Sequence, residues 1–143
     1  MTLSSNQTAV KAGETALITF SFSEDPGTSF TLTTDDVTVS GGTLSGFGGS
    51  GVNYTATFTP AANSTSAASI GVGTSVFSDA AGNLNTAGGT VGLTVDTVVP
   101  TVVVSSNRTA VNAGETALIS FTLSESAVDF VSSDVTVLSL IHI

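Results

Sequence analysis

Cysteine is absent, so the chain carries no disulfide, no thiolate nucleophile and no cysteine zinc site. The one histidine, His142, falls in a terminal stretch expected to be non-native, which leaves the common serine and threonine nucleophiles without their histidine base. Positive charge is almost missing: Lys11 and Arg108 stand against 11 carboxylates, for a net charge of −9. Nucleic acid and anionic membrane surfaces are disfavoured as partners, because both require a basic stripe. Tryptophan is absent and Tyr54 is the single tyrosine, leaving little material for an aromatic binding platform. The longest apolar run, Val98 to Val104, is too short to span a bilayer and is broken by Pro100. Met1-Thr2-Leu3-Ser4 has neither a basic nor an apolar leader pattern. No enzyme is expected from this inventory.

What the chain does have, it has twice. Ser5 to Glu24 reads SNQTAVKAGETALITFSFSE, and Ser106 to Glu125 reads SNRTAVNAGETALISFTLSE. The two agree at 15 of 20 positions, differing only at Gln7/Arg108, Lys11/Asn112, Thr19/Ser120, Ser21/Thr122 and Phe22/Leu123. Copies a domain-length apart are the mark of a tandem array. The division expected is a first repeat over 1–97, a linker over 98–101, and an incomplete second repeat over 102–137. Met1-Thr2-Leu3 aligns with Val102-Val103-Val104, so the chain begins inside a strand. The second copy follows the first as far as Val137. The terminal 138–143, Leu-Ser-Leu-Ile-His-Ile, resembles the in-frame translation of a sequencing-library transposon end and is expected to be non-native.

Period-two alternation dominates, and no amphipathic helical pattern is present. Residues 2–5 read as a strand, Gln7–Gly13 as a turn or loop, and Ala16–Ser23 as a strand with Ile18, Phe20 and Phe22 on one face. Phe30–Leu32, Val37–Ser40 and Thr43–Phe47 are short strand candidates. Val52–Pro60 alternates most clearly, with Val52, Tyr54, Ala56 and Phe58 inward. Ser69–Val72 with Ser75–Phe77, and Thr90–Asp96, complete the set. Gly46-Phe47-Gly48-Gly49-Ser50-Gly51 fits G-x-G-x-x-G, but a strand pattern follows where a phosphate site needs a helix, so it reads as a hairpin loop. About seven short strands with a turn every 8–12 residues predict an all-β fold, a Greek-key β-sandwich. Its expected core is Ile18, Phe20, Phe22, Val37, Leu44, Tyr54, Phe58, Ile70, Phe77, Leu93 and Val95. The second copy holds two or three strands and should expose an unpaired edge.

The segments Ala12–Glu24, Asp36–Gly42, Tyr54–Pro60, Asp79–Asn83 and Val95–Pro100, in this order, resemble the tandem bacterial Ig-like repeats of large surface adhesins and type I-secreted proteins. The resemblance covers about residues 1–137. It implies an extracellular, bacterial cell-surface stalk of many non-enzymatic copies, whose partners are neighbouring repeats of the same chain. It also implies rigidification by calcium at the junctions, although the nonapeptide GGxGxDxUx does not occur here.

Calcium takes six to eight hard oxygens from flexible loops. In the Ig topology, the loop after the second long strand and the loop before the last strand share the pole where the chain enters. Glu24, Asp25, Asp79 and Asn83 are expected together there. The last strand delivers Asp96 to the opposite pole, where it would meet Glu125 and Asp129 of the next copy. Asp35-Asp36 point to opposite faces of an extended chain and read as a solvated loop, not an acid–base pair. Three functions follow in order: a stalk spacer, a module binding carbohydrate or a host protein, and an accessory domain of a secreted enzyme.

Overall fold

The computed structural model describes residues 1–33 and 35–138. Alternating segments become strands wherever a second segment of the same period can lie beside them. Eight do so in the first of two units, Met1–Val99. They are β1 (Thr2–Ser5), β2 (Ala9–Lys11), β3 (Ala16–Ser21), β4 (Val37–Ser40), β5 (Gly42–Ser50), β6 (Asn53–Pro60), β7 (Ala68–Val72) and β8 (Gly89–Asp96). One sheet, antiparallel throughout, has the order β1-β3-β6-β5; the other, with the order β2-β8-β7-β4, is antiparallel except for the parallel β2–β8 pair. The chain changes sheet between β1 and β2, β2 and β3, β3 and β4, β4 and β5, and β6 and β7. That is an Ig-like Greek-key sandwich.

The inner faces meet over Ile18, Phe20, Phe58, Ile70 and Val95, all fully buried. Burying each large side chain contributes about 1.5–3 kcal/mol, and rings meeting edge to face add specificity. Phe22 packs edge-on against Phe77 and Phe30, with ring centres 5.0 and 4.9 Å apart. Phe47 stacks flat on Tyr54 at 5.2 Å. Leu44, Tyr54 and Phe77 are half-buried against the core rather than within it.

Five local expectations change. Val10, expected in a turn, is buried on β2, which runs parallel to β8 with Val10 opposite Val95. Phe30–Leu32 is not a strand; the segment is irregular and Phe30 plugs the core. The glycine-rich 46–51 loop is mostly strand: β5 pairs with β6 up to Ser50, with a bulge between Ser45 and Gly48. Val52 lies in the following turn and is exposed, so the inward register of β6 begins at Tyr54. Ser75–Phe77 is likewise not a strand.

The second unit, from Pro100 onward, holds β9 (Val102–Ser106) and β10 (Ile119–Leu123) as an antiparallel pair. Its register repeats that of β1 and β3: Val104 faces Phe121 as Leu3 faces Phe20. Local hydrogen bonds repeat as well. Asn6 Oδ1 accepts the Leu17 N–H at 2.7 Å, and Asn107 Oδ1 accepts the Leu118 N–H at 2.8 Å. Residues 110–112, the counterpart of β2, are not a strand. Since β2 exists only through its ladder with β8, and residues 102–138 hold no β8 counterpart, that strand has nothing to pair with. Of the expected non-native tail, residues 139–143 lie outside the described residues. Among the described residues no helix is long and apolar enough to cross a membrane.

Candidate functional site

The connection from β3 to β4 and the connection from β7 to β8 lie at the same end of the first sandwich, and Ser29 ties them together. Its hydroxyl accepts the Ser78 N–H at 3.0 Å and lies 2.6 Å from the Ser78 carbonyl, to which it can donate. Asn85 organises the second connection. Its Oδ1 accepts the N–H groups of Val76 and Phe77 at 2.8 and 3.2 Å, and its Nδ2 donates to the Gly73 carbonyl at 2.7 Å. A side-chain amide thus supplies bonds that a strand partner would have given to 75–77, which is why that segment need not be a strand.

Within this frame Asp79 folds its own turn. Oδ1 accepts the N–H groups of Ala81 and Asn83 at 2.9 and 2.8 Å, and Oδ2 accepts from Asn83 Nδ2 at 2.8 Å. Gly82 takes the positive φ that closes the turn. These bonds, that of the Asn83 side chain foremost, hold the Asp79 carboxyl below the usual carboxylate range. A lowered folded value stabilises the turn above the ordinary carboxylate pKa, and that contribution is lost as pH falls through the lowered value. Asp79→Asn should therefore flatten the acid side of the turn's stability profile, read by amide exchange at Ala81 and Asn83.

Glu24, Asp79 and Asn83 line one cleft with Met1, Phe77 and Asn85, at the end where the chain enters. Asp25 is not among the residues lining it; its Oδ1 accepts the Gly27 N–H at 2.8 Å in a tight turn. Asp96 ends β8 on the opposite side, opposite Lys11 in the parallel ladder, with Oδ1 3.3 Å from the Val98 N–H. Glu125 and Asp129 belong to the second unit. Glu125 is half-buried with Oε1 lacking a hydrogen-bond partner, and Asp129 is exposed. Among the described residues no group of three or more His, Asp or Glu side chains is set to hold a metal. The entry cleft brings two carboxylates and the Asn83 amide together, fewer oxygens than calcium takes.

Two polar residues are more deeply placed than expected. Asp36 is buried, and its Oδ2 accepts both the N–H and the hydroxyl of Thr31 at 2.8 Å. That pins the segment that carries Phe30 into the core. Asp134 repeats the device in the second unit, accepting the Val131 N–H at 2.9 Å. Thr97, directly after β8, is also buried; its hydroxyl donates to the Ala61 carbonyl at 2.7 Å and accepts the Ser64 N–H at 2.9 Å. Thr97→Val should cost about 1 kcal/mol in denaturant unfolding, because it removes part-buried hydrogen bonds to Ala61 and Ser64 while keeping the side-chain volume.

A family model for the bacterial Ig-like domain matches residues 1–95 and again residues 96–139. The chain belongs to the bacterial Ig-like domain family. No curated protein and no solved structure matches it. Both matches follow the internal repeat, so each unit is an Ig-like repeat module, the first with both sheets of the sandwich and the second with its opening strands.

Proposed function

We propose that this chain is a spacer segment from the stalk of an extracellular bacterial adhesin, with no catalytic activity of its own. The observation that carries this reading is the repetition itself: two Ig-like modules succeed each other, with Thr97 locking the end of β8 immediately before Val98-Val99-Pro100. A locked strand end and a proline-restricted connection favour a defined step between modules over a floppy one. The neutral Ser and Thr outer face supports the same role. Thr19, Thr55, Thr57 and Ser45 form a hydroxyl surface on the first sheet without a charged residue among them. In the first unit the aromatic side chains that a carbohydrate-binding surface would present are instead packed on the core.

We further propose calcium as the ion that stiffens such a stalk, with each module giving part of the ligand set. The entry cleft would contribute Glu24, Asp79 and Asn83, with Asp25 beside them. Asp96 would contribute at the exit, and Glu125 and Asp129 would be the next module's entry ligands. The convergence of the first three on one cleft supports the reading. Differential scanning calorimetry of the chain with and without 2 mM calcium tests it, since binding at 100 times Kd adds about 2.7 kcal/mol. The expected result is a raised Tm that is lost in Asp79→Ala together with Glu24→Ala. No shift in the unsubstituted protein would remove calcium and leave the spacer reading standing.

A further inference from the structure

Among the described residues of the first unit, every ladder is antiparallel except one. β2 runs parallel to β8, with Ala9, Val10 and Lys11 opposite Thr94, Val95 and Asp96. That exception joins the segment by which the chain enters the sandwich to the strand by which it leaves. Parallel strands have their N-terminal ends side by side. A pull on the chain before β2 and a pull on the chain after β8 therefore act in opposite directions along the pair. Such a load shears the ladder and strains all its hydrogen bonds together. A load on two ends that lie side by side opens the same ladder one bond at a time.

Both strands of the pair are anchored against sliding. Just before β2, the Thr8 carbonyl accepts the Thr94 N–H at 3.0 Å and lengthens the ladder. Val10 and Val95, opposite each other, are both buried, and a slip of one residue would carry Val10 to the solvent face. Beyond β2, a tight turn passes the chain to β3. Glu14 donates its N–H to the Lys11 carbonyl at 3.0 Å, and its Oε2 accepts the Lys11 N–H at 3.2 Å. Beyond β8, Thr97 donates its N–H to the Ser64 carbonyl at 2.9 Å and its hydroxyl to the Ala61 carbonyl at 2.7 Å. Tension from the C-terminal side meets these bonds before it reaches the ladder.

We propose that the β2–β8 pair is the load-bearing element of the module, a shear lock between the entering and the leaving chain. Its use rests on the spacer reading, since a module held in series is pulled by its ends. The shear geometry belongs to the sandwich itself. β1, paired with β3 from Thr2 opposite Ser21 to Ser5 opposite Ile18, lies outside the lock and is a separate, earlier bar to extension.

Single-molecule pulling of the full chain tests the lock, and the absence of native cysteine lets introduced thiols set the handles. Thr2, Gln7, Ala12 and Val99 are all exposed. Handles at Thr2→Cys and Val99→Cys load β1–β3 and β2–β8 in shear. Handles at Gln7→Cys and Val99→Cys bypass β1 and load β2–β8 alone. Ala12 and Val99 line one groove at the end where both strands finish, so handles at Ala12→Cys and Val99→Cys peel β2 from β8. Tyr54 fluorescence in denaturant should give the three proteins the same midpoint, leaving pulling direction as the one difference. Forced unfolding follows the barrier to rupture rather than the equilibrium free energy, so equal midpoints are compatible with unequal forces. The first two handle pairs should give similar peak forces, each at least twofold above the third. Equal peaks in all three directions overturn the proposal. A Gln7/Val99 peak as low as the Ala12/Val99 peak also overturns it, because β1–β3 would then have carried the load. Either result leaves the spacer reading standing. That reading fails separately if an antibody against the chain does not label intact bacteria that produce it, and the measured forces would be unchanged.

Discussion

Phe20→Ala should unfold the first unit at markedly lower denaturant, at a cost of about 3–5 kcal/mol, while Phe121→Ala in the matching position should cost under about 1 kcal/mol. The two phenylalanines sit in nearly identical sequence, ALITFSFSE and ALISFTLSE, so local propensity cancels from the comparison. What differs is burial. Phe20 is enclosed by Phe30, Phe47 and the facing sheet, and removing its ring leaves a cavity whose walls are themselves strands held in register. Phe121 has Phe130 on one side and solvent on another, so little is lost when the ring goes. Tyr54 makes the measurement clean, because the single tyrosine lies in the first unit and there is no tryptophan. Its fluorescence should report a shifted midpoint for Phe20→Ala and an unchanged one for Phe121→Ala.

That contrast also explains which parts of the fold were legible in the sequence. β1, β3, β6 and β8 each alternate over enough residues to declare a buried face, and each forms close to where the alternation lies. β2 was not legible, since three residues in Ala-Val-Lys show no period and become a strand only through a parallel ladder with β8, over 80 residues away. Phe30 looked like a strand residue because an aromatic in an apolar triplet carries no sign of whether its neighbours pair. Here the buried Asp36 carboxylate holds the segment irregular. The 46–51 stretch looked like a loop because glycine suggests flexibility. In a sheet it can equally permit a bulge and close backbone approach, as at Gly49, where a Cβ would lie 2.3 Å from the Asn53 carbonyl oxygen. At the candidate site, the acidic positions were readable from composition and topology. The organising roles of Ser29, Asn85 and Thr97 were not, because uncharged hydroxyls and amides occur throughout this chain and only contacts distant in sequence distinguish these three.

Gly88→Ala should be the most damaging single-methyl addition in the first unit. A Cβ there would stand 1.8 Å from the Val72 carbonyl oxygen and 2.9 Å from that of Gly73. Both obstacles are backbone, so no rotamer change relieves them, and β8 would have to move off β7 at the point where their ladder begins. Overpacking of this kind typically costs 1–3 kcal/mol; the absence of a soft neighbour puts the expectation at about 3 kcal/mol. The displacement should also spread to the entry cleft. Gly88 leads into β8 directly from the connection that carries Asp79, Asn83 and Asn85, so the entry cleft should lose its shape together with the strand. Gly82→Ala separates the two effects. It has no atom within 4 Å of the added methyl, but it requires a φ of +88, which alanine adopts at a cost of about 1–2 kcal/mol. Gly82→Ala should therefore disturb the Asp79 turn while β8 stays paired, visible as lost protection at Ala81 and Asn83 with unchanged protection at Val91 and Leu93. Gly88→Ala should lose both. If the two variants gave the same exchange pattern, the turn and the strand would be one cooperative unit, and the cleft could not be altered without unzipping the sheet behind it.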